Sequence, residues 1–419
     1  MFKLSRYNYN TTRDNLVYIY NLLTRSFLRF DKETFNKLEN GKINQLPPQS
    51  ITTLLKYGII CPENIDENLV MRSYILKKLA LSKSLAIILS MTSLCDFNCP
   101  YCFEDCRKEF INDKKYIDKD SINKVYEYVL REILNNKLNN LSIAYFGGEP
   151  LVNTSNLEYA IEKFSSIKNV SVSQTLITNG FNMSDKFIKD VILKNNLYVQ
   201  VTLDGPREIH NSLRTNQTCK NTFDVIIDNL RKLCIKPQNC ILRINVQEKL
   251  LKEYYNLIDF ICADDVLCKI GAINISPIFD GQLKSNCNSP NITETVIDLY
   301  KYVIKKNLHL SNSIEFGPCL AQSDLGIVID ENLNTYSCPA TLYKQSTGYI
   351  KDGMHMITDN SWYKNILTIN PCVDDCKYAP VCFGPCILNN TCYKNSIERL
   401  LPLFVEQKIL QHKNKEMLK

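Results

Sequence analysis

Through the middle of the chain, short apolar runs rich in valine, isoleucine and leucine alternate with longer segments in which apolar residues recur every three or four positions. The short runs predict buried β-strands, and the longer segments predict amphipathic α-helices. Six strand–helix repeats are predicted, with strands LAIILSMT, LSIAYFGG, VSQTLITNG, YVQVTLDG, CILRINV and AINISPIF. Such repeats predict an α/β fold whose parallel sheet is buried on both faces and is curled by right-handed crossovers into a partial, TIM-like (β/α)6 barrel.

The segments on either side of this predicted barrel have different patterns. Residues 1–80 predict a small α+β module, because LVYIYN and SFLRF read as strands and DKETFNKLENG reads as a helix capped by Asp31 and ended by Gly41. The barrel is predicted over residues 81–305. Residues 306–419 predict a loop-rich, cysteine-rich domain, which needs cross-links or bound metal to be stable.

Polar residues and glycines collect where the predicted strands end. In a barrel of parallel strands the carboxyl ends of the strands meet on one face, and active residues lie there. Packing requirements alone would scatter such residues along the chain. The residues at or near the six strand ends are Cys95, Cys99, Cys102, Gly147, Gly148, Glu149, Thr178, Asn179, Gly180, Asp204, Gly205, Arg243, Asn245 and Ser276.

Length and charge exclude several classes of protein. The chain has 419 residues, too many for one ordinary hydrophobic core. Its net charge is only +6 and its lysines are spread along the chain, so no nucleic-acid partner is expected. No apolar run approaches the roughly 20 residues that cross a membrane, and the first ten residues lack the apolar core of a signal peptide. We therefore expect a cytoplasmic protein without a membrane partner.

The cysteine content is unusual, since 18 cysteines accompany only four histidines. Reducing conditions in the cytosol prevent disulfides, so clustered cysteines indicate metal. The segment CDFNCPYC contains Cys95, Cys99 and Cys102, whose thiolates can bind three irons of a 4Fe–4S cluster and leave the fourth iron open to another ligand. The alternative is a zinc site with Cys106 as its fourth ligand.

The spacing of these three cysteines, with an aromatic residue before the third, resembles the signature of the radical S-adenosylmethionine (SAM) superfamily. FGGEP, TNG and LDGP resemble later motifs of that family, although Asn-Gly and Asp-Gly are also ordinary turn formers. The resemblance implies that SAM binds the open iron. One electron from the cluster then cleaves SAM and releases a 5'-deoxyadenosyl radical, which removes hydrogen from the substrate. The resemblance assigns to the cofactor the residues Tyr101, Gly147, Gly148, Glu149, Asn179 and Asp204.

The sequence leaves undecided the role of Arg214 and the identity of the catalytic group. Arg214, in the segment REIHNSLR, is either a substrate-binding residue or one half of a salt bridge within its loop. No residue of the sequence is assigned as the catalytic group for the steps that follow hydrogen removal.

The C-terminal cysteines resemble a SPASM domain, the auxiliary-cluster module of many radical SAM enzymes that modify peptides. That family's pattern is a cysteine pair around a glycine-containing hairpin, then Cys-x2-Cys-x5-Cys-x3-Cys and a last cysteine; here the first of these spacings is one residue longer. The resemblance implies two auxiliary 4Fe–4S clusters, the first with either an open iron or Cys287 as a further ligand. The ligands that it assigns are Cys319, Cys338 and Cys386 for the first cluster and Cys372, Cys376, Cys382 and Cys392 for the second.

Three functions are compatible with these motifs. The first is a maturase that modifies a ribosomally made peptide, for example by a thioether crosslink, and recognises the leader of the precursor through its N-terminal module. The second is an anaerobic sulfatase-maturating enzyme, and the third, disfavoured by the SAM motifs, is an electron carrier without catalysis. Sulfatase maturases carry a proton-accepting Asp after the second SPASM cysteine, where this chain has Pro339. We therefore favour the peptide maturase, which also needs a reducing partner such as flavodoxin or ferredoxin.

Overall fold

The computed structural model describes residues 1–102, 116–277, 294–311, 314, 316–361 and 369–417. Cys106 and Cys287, considered above as further metal ligands, lie outside these residues. The chain forms two compact units. Unit 1 comprises Met1–Ser82, Ile314–Gln322 and Ile366–Lys419, and unit 2 comprises Lys83–Ser313 and Ser323–Asn365.

Unit 1 combines both ends of the chain. Its strands are β1 (Phe2–Leu4), β2 (Asn8–Arg13), β3 (Leu16–Asn21), β4 (Phe27–Asp31) and β5 (Ile60–Pro62). Its helices are α1 (Lys32–Glu39), α2 (Pro48–Lys56), α3 (Glu67–Ala80), the short α11 (Ala379–Cys382) and α12 (Lys394–Met417). The predicted strands and the first helix are present, and the Asp31 carboxylate accepts a hydrogen bond from the Thr34 amide as an N-terminal cap.

Strands β2, β3 and β4 form an antiparallel sheet whose faces bury different partners. Because side chains alternate along a strand, Val17 and Ile19 of β3 join a core with Phe35 of α1. Tyr20, on the opposite face of β3, packs edge-on against Phe404 of α12 with ring centroids 5.3 Å apart. The N-terminal sheet is therefore covered by both an N-terminal and a C-terminal helix.

Unit 2 contains the parallel sheet. Its parallel strands are β6 (Ser84–Ser90), β7 (Asn140–Phe146), β8 (Ser171–Thr178), β9 (Tyr198–Thr202), β10 (Cys240–Val246) and β11 (Ala272–Pro277). The helices between and after them are α4 (Lys119–Asn136), α5 (Thr154–Ser165), α6 (Asp185–Phe187), α7 (Arg207–Leu213), α8 (Thr222–Leu233), α9 (Leu251–Ala263) and α10 (Glu294–Lys305). All six predicted strands are present and pair in parallel in chain order, which confirms the α/β class.

Four further strands extend this sheet beyond β6. They are β12 (Gly326–Ile329), β13 (Asn334–Tyr336), β14 (Gly348–Lys351) and β15 (Met354–Ile357), and the order in the sheet is β11-β10-β9-β8-β7-β6-β12-β13-β14-β15. Strand β12 runs parallel to β6, with Gly326 opposite Ala86, and the last three strands continue as antiparallel neighbours. The carboxyl ends of β12 and β6 therefore lie side by side.

The sheet is not buried equally on both faces, contrary to the prediction. Along β10 the residues alternate between fully and partly buried, and β6 and β7 alternate in the same way. Leu242 and Ile244 are on the buried face, whereas Arg243 and Asn245 are on the partly exposed one. The sequence alternates accordingly between large apolar residues and small or polar ones. Among the described residues no helix is sufficiently long and apolar to cross a membrane.

Candidate functional site

The cysteine loop, residues 91–102, follows β6 and lies directly against the turn after β7. The amide of Gly148 donates to the Thr92 carbonyl and the amide of Glu149 donates to the Leu94 carbonyl, each at 2.8 Å. A Cβ atom at Gly147 would lie 2.3 Å from the Thr92 oxygen, and one at Gly148 would lie 2.2 Å from the Leu94 oxygen. Only glycine permits this approach, so the two glycines of FGGEP bring the cysteine loop and the turn into backbone contact.

Glu149 ties the turn after β7 to the end of β8. Its carboxylate accepts hydrogen bonds from the Thr178 hydroxyl at 2.6 Å, the Asn179 amide at 2.6 Å and the Leu151 amide at 3.0 Å. The side chain is buried, and this burial raises the pKa of Glu149 to about 7 against the opposing effect of its three donors. Glu149 therefore fixes loop geometry in this structure, and its predicted contact with the cofactor stays a prediction.

Asn179 extends the same connection to the cysteine loop. Its side-chain nitrogen donates to Asp96 Oδ1 at 2.7 Å, and its side-chain oxygen Oδ1 accepts from the Phe181 amide at 2.9 Å. On the other side of the loop, the Asn98 amide donates to the Thr215 carbonyl at 2.8 Å. The cysteine loop is thus held from two directions by residues that follow β8 and α7.

Tyr101, Asp204 and Arg214 form a buried cluster that connects the cysteine loop to the end of β9. The Tyr101 hydroxyl donates to the Asp204 carboxylate, and Arg214 Nη1 lies 3.1 Å from the same oxygen. The other oxygen of Asp204 accepts from the Asn245 amide at 2.9 Å. Burial lowers the pKa of Arg214, but the negative charge of the neighbouring Asp204 opposes this effect, and the pKa is raised overall. Of the two roles left open for Arg214, the structure shows the internal salt bridge.

The polar residues at the ends of β10 and β11 form a separate group. The Arg243 guanidinium donates to the Asn245 side-chain oxygen at 2.9 Å and to the Ser276 hydroxyl at 2.8 Å. Burial lowers the pKa of Arg243. These three side chains line the partly exposed face of the sheet, as the strand-end pattern predicts.

The cysteine loop fits a bound cluster and a polar ligand. Three of the buried atoms that have no hydrogen-bond partner among the described residues belong to the loop or to Arg214 beside it: Ser93 Oγ, Asp96 Oδ2 and Arg214 Nε. Buried polar atoms are almost always hydrogen-bonded, so a ligand that carries amino, carboxylate and hydroxyl groups suits this place. Burial raises the pKa of Cys95 to about 12 and of Cys99 to about 11, so their thiolates need a positive partner such as iron.

A second group of cysteines lines a cavity of about 540 Å³ in unit 1. Its cysteines are the four that the sequence assigns to one auxiliary cluster: Cys372, Cys376, Cys382 and Cys392. Lys377, Tyr378, Lys394 and Glu398 complete much of the wall. The structure brings these four thiols to one space, although their role as iron ligands stays a prediction. We call this space the four-cysteine cavity.

The remaining predicted ligands are distributed over both units. In unit 1, burial raises the pKa of Cys319, and the nearby Cys386 raises it further. Cys338 belongs to unit 2, where it lies two residues after β13 and precedes the short 3-10 turn Pro339–Thr341. No three Cys, His, Asp or Glu side chains converge on one metal ion anywhere in the described ranges. Ligands of a 4Fe–4S cluster bind different irons and need not converge on one point.

Sequence reasoning missed a buried acid beside the cysteine loop. Glu331 follows β12 and accepts hydrogen bonds from the Ser90 hydroxyl at 3.2 Å and the Tyr343 hydroxyl at 2.9 Å, both on Oε2. Its Oε1 is buried without a partner among the described residues, and burial raises the pKa of Glu331 to about 7. The sequence DEN reads as a hairpin turn. The available signal was a pair of acids, Asp330 and Glu331, directly after a wholly apolar strand.

Comparison with known proteins identifies the domain that contains the cysteine loop. Residues 89–261 match the Radical SAM superfamily. The radical SAM cyclopropyl synthase TigE of Paramaledivibacter caminithermalis is 24% identical over 414 residues, covering 89% of this chain and 83% of that protein. A cysteine-type anaerobic sulfatase-maturating enzyme of Clostridium perfringens is 28% identical over 208 residues, covering 45% of this chain and 55% of that enzyme.

A likeness of fold extends over nearly the whole chain. The structure of Streptococcus suis SuiB bound to its precursor peptide SuiA superposes with a TM-score of 0.52 at 16% identity, covering 95% of this chain and 97% of that one. The superfamily match spans the cysteine loop and the turns that hold it. Residues 89–261 therefore form a radical SAM domain, and enzymes of this superfamily use a 4Fe–4S cluster and SAM.

Proposed function

We propose that this enzyme is a peptide maturase that modifies a ribosomally synthesised precursor by radical chemistry. The four-cysteine cavity carries the proposal, because forming a new bond in a peptide after hydrogen removal requires an acceptor for an electron, and a second iron–sulfur cluster supplies one. TigE is named as a cyclopropyl synthase, and SuiB was solved with its precursor peptide. The SuiB complex favours a peptide substrate for this chain, and TigE favours a radical SAM reaction that forms a new bond.

Each cysteine group has a distinct role in the proposal. Cys95, Cys99 and Cys102 hold the cluster that binds SAM, while the unpartnered atoms of Ser93 and Asp96 receive polar groups of SAM. When bound, this cluster supplies the electron that cleaves SAM to the 5'-deoxyadenosyl radical. The turn formed by Gly147 and its neighbours keeps the loop in position.

The C-terminal cysteines hold two auxiliary 4Fe–4S clusters. The first cluster is bound by Cys319, Cys338 and Cys386, and the second lies in the four-cysteine cavity. The electron removed from the substrate passes to these clusters, and a flavodoxin or ferredoxin reduces the SAM-binding cluster for each turnover.

The N-terminal sheet of unit 1 is proposed to recognise the leader of the precursor. Its strand order is β2-β3-β4, so both outer strands have an edge without a strand partner among the described residues. An extended leader peptide can add to such an edge through main-chain hydrogen bonds, while its side chains provide specificity. This role belongs to residues 1–80, which carry none of the predicted cluster ligands.

Anaerobic sulfatase maturation is the second candidate, favoured by the relative from Clostridium perfringens that is 28% identical over 208 residues. That reaction needs a base near the oxidised side chain. Pro339 occupies the position after Cys338 where those enzymes carry an Asp, and its side chain cannot accept a proton. The peptide-maturase proposal therefore remains the stronger one.

The test is anaerobic reconstitution followed by reaction with a short peptide encoded next to the gene, which we expect to exist. We expect about twelve irons per chain, SAM-dependent 5'-deoxyadenosine and a peptide that has lost two hydrogens per new bond. Alkylation of free thiols then separates thioether formation, which consumes a thiol, from cyclopropane formation, which does not. Unchanged mass with inverted residues indicates epimerisation, and conversion of a cysteine to formylglycine would replace our proposal by the sulfatase candidate.

A further inference from the structure

Helix α3 lies at the end of the N-terminal segment, residues 1–80, and contacts the turns that carry the cysteines of the four-cysteine cavity. Arg72 in the middle of α3 binds Asp374 through two parallel hydrogen bonds, Nε to Oδ1 and Nη2 to Oδ2, each 2.6 Å long. Asp374 lies between two of the cavity's cysteines, Cys372 and Cys376. A bidentate pair of this kind fixes the orientation as well as the position of the carboxylate.

Two further contacts from the N-terminal segment reach the next turn of the cavity. Arg25 Nη2 donates to the Pro380 carbonyl at 2.9 Å, and Pro380 is in α11, which ends at Cys382. The ring of Tyr74, also on α3, packs against Phe383 with centroids 5.8 Å apart. Phe383 has φ of +61°, a left-handed conformation in which a bulky residue needs support from its surroundings.

We propose that α3 is a brace for the four-cysteine cavity, so that the second auxiliary cluster is retained only when the N-terminal segment is in place. This inference rests on the proposed function, since it takes the cavity to be a cluster site. The physical reason is that three ligands lie on short turns, and ordering such turns before metal binds lowers the entropic cost of binding. The N-terminal segment is then part of the cluster site as well as a docking module.

Charge makes Arg72 the most sensitive part of the brace. Four thiolates give a 4Fe–4S cluster a net negative charge, and Asp374 adds another negative charge two residues from each of two ligands. The Arg72 guanidinium neutralises this carboxylate. Without Arg72, Asp374 would destabilise the cluster by repulsion as well as leave its turn less ordered.

The experiment measures iron in chains that carry only auxiliary clusters. In a background with Cys95, Cys99 and Cys102 replaced by Ala, we expect about eight irons per chain. Adding Arg72→Ala should remove at least half of the second cluster's four irons and accelerate iron loss to a chelator at least tenfold. Arg72→Lys should be intermediate because it keeps the charge but loses the bidentate geometry. Asp374→Asn added to Arg72→Ala should recover part of the loss.

Arg231→Ala is the matched control, because Arg231 also binds an aspartate, Asp264, through two nitrogens at 3.0 and 2.8 Å, but does so in unit 2. It should retain all of the iron. Wild-type iron content and chelator resistance in soluble Arg72→Ala protein would overturn the brace while leaving the cluster assignment intact. Absence of the second cluster from the parent protein itself would instead overturn the cluster assignment, and the brace with it.

Discussion

The cysteine loop is held by backbone and side-chain hydrogen bonds to three neighbouring turns, whereas in the four-cysteine cavity the thiols surround an open space of about 540 Å³. The loop's supports come from within unit 2 and include two glycine contacts that no other residue could make. The turns of the cavity accept hydrogen bonds from Arg72 of α3 and from Arg25. The loop is therefore shaped by the protein alone, whereas our proposals make the cavity dependent on both the α3 brace and bound metal.

Replacing one glycine by alanine in each region should give the largest difference in iron content between the two regions. Gly148→Ala places a Cβ 2.2 Å from the Leu94 oxygen, so the cysteine loop must move. We expect loss of about four irons, the content of one cluster, and at least a hundredfold slower formation of 5'-deoxyadenosine. Gly384→Ala, in the cavity wall, meets only Asn370 Cβ at 3.5 Å and is strained only by its φ of +107°.

The Gly384→Ala variant should therefore keep most of its iron. Iron analysis and product chromatography on the two variants make the measurement. Equal iron loss in both would show that the two regions tolerate crowding alike and would remove the distinction between them.

Breaking the buried ion pair beside the loop should have the next largest effect. Arg214→Ala leaves Asp204, which is fully buried, as an uncompensated charge, and we expect a loss of about 3–5 kcal/mol in the free energy of unfolding. Denaturant titration of the iron-free protein measures it. Arg231→Ala, whose salt bridges are more exposed, should lose less than about 1 kcal/mol. A small effect at Arg214 would mean that the loop is not shaped by this pair.

The buried acid Glu331, beside the cysteine loop, should make the free energy of unfolding depend on pH. Its pKa of about 7 lies above its ordinary value of 4.5, so the folded state holds the proton more tightly than the unfolded state. The contribution of Glu331 to the free energy of unfolding is fully present below pH 4.5 and is lost as the pH rises from there through 7. Over that range the loss amounts to about 3 kcal/mol.

Glu331→Gln should remove this contribution, so that the free energy of unfolding falls less steeply between pH 4.5 and 7 than in the wild type. Glu149, whose pKa is raised in the same direction, should keep part of the slope. Denaturant titration of iron-free protein at several pH values checks the result. Parallel curves for variant and wild type would contradict the raised pKa.

The smallest effect is expected for Tyr101→Phe. Removing this hydroxyl takes one donor from Asp204 but leaves Arg214 and the Asn245 amide in place, so we expect a loss of about 1.5 kcal/mol. Tyr159→Phe, which removes a hydroxyl bonded to the neutral Asn123 side chain, is the control and should lose about 1 kcal/mol or less. A loss equal to that of Arg214→Ala would make Tyr101 an essential support of the loop.

Local sequence patterns were sufficient for much of the fold. Runs such as LSIAYFGG gave the parallel strands, and the glycines at their ends marked the close approach between turn and cysteine loop. The prediction that both faces of the sheet are buried was wrong, because residues such as Arg243 alternate with large apolar neighbours and remain partly exposed. The seven-residue helix α7 is not predicted from the segment REIHNSLR, which is too short to show a helical repeat of apolar residues.

Contacts between distant parts of the chain could not be predicted in the same way. Arg72 and Asp374 are 302 residues apart, and Ser90 and Glu331 are 241 apart. Neither pair belongs to a periodic pattern, because the partners are brought together only by the packing of complete elements. The predicted iron ligands Cys372 and Cys392 were accessible to sequence reasoning because cysteine spacing itself carries the chemistry.

The pairing of β12 with β6 has a consequence for biosynthesis. The edge of β6, whose end leads into the cysteine loop, gains its partner only when residues 326–329 have been made. Until then the growing chain presents an unpaired strand edge, which favours association with other chains. The strand that completes the sheet beside Ser90 also carries Glu331 at its end. The support of the SAM-binding region is therefore completed after most of the chain has left the ribosome, and chains truncated before residue 326 should aggregate during expression.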